Sequence, residues 1–90
     1  MFQAHEIAMQ LIEVVRPIVV AVLPRDKKLA HQLRDAATSA AANTAEGGRR
    51  VGGDRHHSFR VASGEAAEVV SHVRAAVAWR YVPESALADV

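Results

Sequence analysis

Apolar residues recur at intervals of three and four along most of this 90-residue chain. That spacing gathers them on one face of an α-helix. From about Phe2 to Leu23, the residues Ala8, Leu11, Val15, Ile18 and Val22 share such a face. Pro17 cannot donate the backbone bond to Glu13, so a kink is expected there. The Val-rich residues 18–23 also fit a short strand, which leaves an alternative open at the end of this segment.

The second segment starts at Asp26, a residue type suited to an N-cap, and runs to about Glu46, with Gly47 and Gly48 as the expected stop. Leu29, Leu33, Ala36, Ala40 and Thr44 share one face, and Gln32, Ser39, Asn43 and Glu46 form a polar stripe beside it. The third segment is capped by Asp54 and extends to about Tyr81. Its apolar stripe is Phe59, Ala62, Ala66, Val69, Val70, Val73, Val77 and Tyr81. The tail from Pro83 starts a further helix of two turns at most.

Three helices with short links predict an all-α, up-and-down antiparallel bundle, with a short or truncated fourth element and one domain over residues 1–90. The stretch LRDAATSAAANTAEGG, residues 33–48, is built almost wholly from small side chains. Alanine and serine let neighbouring backbones approach where leucine would hold them apart.

Composition sharpens this picture in three ways. A chain of this size buries only about 60–65% of its unfolded surface, and much of its apolar content is alanine, so self-association is an expected remedy. With no cysteine, disulfides, thiol nucleophiles and Cys-ligated zinc are excluded, and a reducing cytoplasmic setting fits. The N-terminal residues lack the pattern of a secretory signal. The longest apolar run, IVVAVL, is far short of the roughly 20 residues needed to span a bilayer.

The net charge of +1 predicts no nucleic-acid partner by itself, but its distribution is uneven. Residues 25–60 carry eight cations (Arg25, Lys27, Lys28, Arg34, Arg49, Arg50, Arg55 and Arg60) against four anions (Asp26, Asp35, Glu46 and Asp54). The run GGRRVGGDRHHSFR reads as an irregular, glycine-rich basic loop. Arginine forks there suit phosphate oxygens, and such contacts position a nucleic acid without reading its sequence. Arg49, Arg50, Arg55 and Arg60 are the candidate phosphate contacts, supported by Lys27 and Lys28. The bland alternative is a solvated linker. Phe59 and Tyr81 fall on the core stripe, so no aromatic platform for single strands is expected, and Trp79 is assigned to a subunit interface.

The motif LPRDKKLAHQLRDAATSAAANTAEGGRR followed by FRVASGEAAEVVSHVRAAVAWRYV resembles the bacterial four helix bundle protein family, named for proteins encoded in intervening sequences of large-subunit ribosomal RNA genes. Accessory variability determinants of diversity-generating retroelements are related. The resemblance rests on Leu23, Pro24, Leu29, Gln32, Leu33, Arg34, Ala36, Ala37 and Ser39, on residues 42–50, and on Phe59, Ala62, Gly64, Glu68 and Tyr81. It covers residues 23–82 well and the first helix loosely. The chain departs at Ala40 and Thr44, where larger aliphatics flank the Asn, at Glu65, where Ser is usual, and in lacking a full fourth helix before Val90.

The resemblance implies a homopentameric ring and a non-enzymatic role in binding RNA or DNA, or a nucleic-acid enzyme such as a reverse transcriptase. The alternative is a structural or adaptor protein that docks a partner protein and binds no nucleic acid. Gln32, Arg34, Ser39, Asn43, Glu46 and Gly47 are expected at helix or subunit boundaries, with Arg34 facing Glu46 of a neighbouring copy.

Metal and catalytic chemistry find little footing. Glu68 and His72 are one turn apart with Glu65 nearby, but the Glu-x-x-His spacing of bundle metal sites is absent. His56 and His57 diverge on a helix. Ser58, Ser63 and Ser71 lack a nucleophile elbow, an oxyanion loop and a carboxylate pocket. No cofactor and no enzyme activity are expected.

Overall fold

The computed structural model describes residues 2–49, 52–88 and 90. Three helices, α1 (Phe2–Val22), α2 (Lys27–Arg49) and α3 (Gly52–Ala78), are followed by one 3₁₀ turn, Glu84–Leu87, and no strand occurs among the described residues. Residues 18–22 are helical, which removes the strand alternative, and α1 runs unbroken through Pro17.

Neighbouring helices are antiparallel, and three contacts fix their register. His5 Nδ1, near the start of α1, lies 3.2 Å from both the Ala41 carbonyl oxygen and Thr44 Oγ1, late in α2. Gly47, near the end of α2, meets Phe59, near the start of α3. Beyond α3, Tyr81 Oη donates to Asp26 Oδ2 across 3.3 Å. The resulting rod measures 43 × 21 × 16 Å.

The central helix is α2. It packs against both α1 and α3, whereas α1 and α3 scarcely meet. Its buried arc is therefore wide. Leu29, Leu33, Ala36 and Ala40 lie on the predicted face, and Ala30, Ala37 and Ala41 are buried beside them. Asp26 caps α2 as expected, its Oδ1 accepting the Leu29 amide at 3.0 Å.

Two predicted boundaries are corrected. Gly47 and Gly48 do not stop α2, which continues to Arg49. Gly47 is buried there, and a Cβ would come within 2.9 Å of Phe59 Cε1. This glycine serves close approach between helices, and packing overrides its poor helix propensity. Asp54 does not precede α3 but lies inside it, because the helix starts at Gly52, whose φ of +64° glycine tolerates. The predicted basic loop is consequently mostly helix. Only Arg50 and Val51 separate α2 from α3, and both lie outside the described residues.

Bulky core residues gather toward one end of the rod. Val15, Ile18, Val22, Leu29, Leu33, Val69, Val73 and Val82 form one buried cluster, onto which Ala86, Leu87 and Val90 of the tail pack. The other half buries mainly small side chains: Ala8, Ala40, Ala41, Ser58 and Ala62.

Candidate binding surfaces

Where the core thins, an open apolar groove of about 620 Å³ runs between α1 and α3 with α2 as its floor. Ile7, Leu11 and Val14 form one wall, Phe59, Ala66 and Val70 the other, Ala40 and Thr44 the floor, and Val90 closes one end. Ile7 and Val70 are exposed despite lying on apolar faces. Charged residues follow these wall positions around each helix, Glu6 and Glu13 on α1 and Arg60 and Arg74 on α3, so the two flanks carry opposite charge. The sequence hinted at this groove. The stripe of α3 holds two overlapping sets of apolar residues, more than one neighbouring helix needs.

The described candidate phosphate contacts are not brought together. Lys27 and Lys28 occupy the first turn of α2, and Arg49 is its last residue. At 1.5 Å per residue these ends are about 33 Å apart. Arg60 is exposed near the far end. Arg55 is half-buried with its guanidinium 5.5 Å from the Phe59 ring centroid, a cation–π contact. The Arg49 side chain and the whole of Arg50 lie outside the described residues.

Of the candidate boundary residues, Gln32, Ser39, Asn43 and Glu46 share one stripe of α2 with Gly47 at its edge, and Arg34 lies on the opposite side. Asn43 Nδ2 donates to the Ser39 carbonyl at 2.9 Å and lies 3.3 Å from Ser39 Oγ, bonds made within its own helix. Gln32 is exposed, and Glu46 is half-buried. Arg34 stands 3.5 Å from Asp35 on the exposed surface. Among the described residues no three His, Asp or Glu side chains gather as metal ligands, and no helix is long and apolar enough to cross a membrane.

Sequence reasoning missed the grouping at the opposite end. The turn after α1 and the turn after α3 meet there, tied by the Tyr81–Asp26 bond and by Arg25, whose guanidinium lies 5.4 Å from the Tyr81 ring centroid. Partial desolvation and the Asp26 carboxylate push the Tyr81 phenol above its ordinary pKa, and Arg25 opposes the shift. Arg25, Lys27, Lys28 and Arg80 are exposed around this junction. Two anions share the junction: Asp26, engaged by the Leu29 amide and the Tyr81 hydroxyl, and Glu84, exposed at the start of the 3₁₀ turn. Trp79 is 67% exposed beside it. The available signal was the pairing of two short turns at one end of an antiparallel bundle, which places residues 23–28 next to 79–84.

No curated protein and no solved structure matches the chain. The family described as 23S rRNA-intervening sequence protein matches residues 2–90, so the match takes in α1 and the tail as well as the segments that carry the sequence resemblance. The three-helix architecture and this near full-length match place the chain in the 23S rRNA-intervening sequence protein family.

Proposed function

We propose that this protein is a non-catalytic, nucleic-acid-associated accessory protein that works as an assembly of several copies. The observation that carries the reading is the junction end. Four exposed cations, Arg25, Lys27, Lys28 and Arg80, converge there, and among the described residues none has a carboxylate at ion-pair distance. Clustered cations of this kind hold phosphates and release counterions on binding. Arg49, Arg55 and Arg60 toward the far end, with Arg50 between α2 and α3 in sequence, remain a second candidate phosphate-contact zone.

The groove supports the assembly. Its walls are apolar and its flanks oppositely charged, so copies can approach with one acidic flank against a basic one. A neighbouring copy is the occupant of this proposal. The competing reading, a scaffold that docks an unrelated protein, draws on the same groove.

The test is binding of structured RNA and duplex DNA across a salt series, with native mass recorded in parallel. The expected result is affinity that falls steeply with salt and weakens in a Lys27→Ala/Lys28→Ala variant, with Ile7→Glu lowering the mass of the assembly. Absence of binding at low salt by a correctly assembled protein would move the function to protein docking.

A further inference from the structure

We infer that the junction end holds an unpaired nucleotide base against the face of Trp79, with the neighbouring phosphates on Arg80, Arg25, Lys27 and Lys28. The inference rests on the nucleic-acid reading above and adds to it a site and a substrate class, single-stranded nucleic acid.

Trp79 is the single tryptophan of the chain and is 67% exposed. Tryptophan is highly buried on average, so an indole this exposed, directly followed in the chain by the exposed Arg80, is an unusual use of the residue. It does not line the groove. An apolar partner over Trp79 would have to desolvate the adjoining Arg80. A single strand uses both features, a π-face for a base and charges for its backbone.

The backbone supports the same reading. Arg80 is the one non-glycine residue with positive φ among the described residues, at 65°. The α3 C-terminus closes through Tyr81 N–H to the Ala76 carbonyl and Arg80 N–H to the Val77 carbonyl, both 2.9 Å. Glycine fills such a left-handed position without strain. Here an arginine occupies it, directly after the exposed indole. Its Nη1 reaches the Val77 carbonyl only at 3.4 Å, so the guanidinium remains exposed to solvent. The Tyr81–Asp26 bond and the Arg25–Tyr81 contact then hold the cations of the 23–28 turn beside it.

Because Trp79 is the sole tryptophan, its emission reports this site alone. The full-length protein is titrated with fluorescein-labelled oligo(dT), oligo(U) and a duplex of equal length, reading label anisotropy and, with unlabelled strands, tryptophan emission. The inference expects quenching that tracks single-strand binding. It expects Trp79→Ala to weaken single strands roughly 5- to 150-fold and duplex less than about twofold, with Trp79→Phe retaining most of the affinity. The exposed position leaves the core intact, and circular dichroism of both variants checks this. Single strands that bind with no change in emission and no loss in Trp79→Ala would overturn the inference and leave phosphate binding standing. Emission that shifts with protein concentration and ignores oligonucleotide would overturn it in favour of a protein interface. Failure of every oligonucleotide to bind at low salt would remove both readings.

Discussion

Gly47 and Gly64 both lie inside helices, and the same substitution at each should have opposite effects. In an open helix position, Gly→Ala stabilises by about 0.8–1.0 kcal/mol, because alanine gives up less backbone freedom on folding. Gly64 is such a position: it is exposed, and an added Cβ meets nothing within 4 Å. At Gly47 the added Cβ would stand 2.9 Å from Phe59 Cε1 and 3.1 Å from Cδ1 and Cζ. Carbon contacts are most favourable near 3.5–4.0 Å, so the ring must retreat by about 0.5 Å or more.

Overpacking a close contact of this kind costs about 1–3 kcal/mol. The Phe59 ring is half-buried and borders the groove, which gives it room, so the lower half of that range applies. Against the propensity gain, Gly47→Ala is expected to be neutral to destabilising by about 1 kcal/mol. Urea unfolding followed by circular dichroism measures both variants. A double-mutant cycle with Phe59→Leu isolates the cause, since loss of the ring should turn Gly47→Ala stabilising. If Gly47→Ala alone stabilises as much as Gly64→Ala, the close-approach account of this glycine is wrong.

Three further outcomes follow from the junction end and its caps. Arg80→Gly should raise stability by up to about 1–2 kcal/mol, because it relieves the left-handed backbone, while weakening nucleic-acid binding; a lower thermal midpoint would count against the strain. Asp26→Ala should cost about 1 kcal/mol or more, since it removes the α2 cap and the Tyr81 acceptor together, and hydrogen exchange at the Leu29 amide should rise with it. The phenol of Tyr81 has a raised pKa in the folded protein, so its contribution is complete below the ordinary tyrosine value and is lost as pH climbs through the raised one. Thermal midpoints above about pH 10 should therefore fall more steeply in the parent than in Tyr81→Phe.

The helices were legible because their apolar faces are regular. Ala8, Val15, Ile18 and Val22 of α1, and Leu29, Leu33, Ala36 and Ala40 of α2, are buried as the spacing demands. The Asp26 cap was legible for the same local reason. The glycines were misread because a glycine that ends a helix and one that admits a neighbouring ring look alike along a chain. The difference at Gly47 lies in Phe59, 12 residues away. The candidate phosphate contacts were grouped by their place in the sequence, and a helix spanning the length of the rod separates Lys27 from Arg49. Trp79 is set apart from the core stripe by its spacing and is exposed, but the meeting of the 23–28 turn with Tyr81 is visible only in the folded pairing of the two turns.

The small residues of α2 solve one packing problem and create another. Ala30, Ala37 and Ala41, together with Ala36, Ala40 and Gly47, let a single helix be covered from both sides. In the upper half of the rod, valines of α1 and α3 and the tail residues Val82, Leu87 and Val90 fill the remaining space. In the other half the floor is Ala40 and Thr44, and the walls on α1 and α3 stand apart. No rearrangement of alanines can fill that volume, because each contributes a single methyl group. Wider side chains on α2 would close the groove but push α1 and α3 off the helix that holds them together. Close packing and an open apolar groove are thus two consequences of one composition.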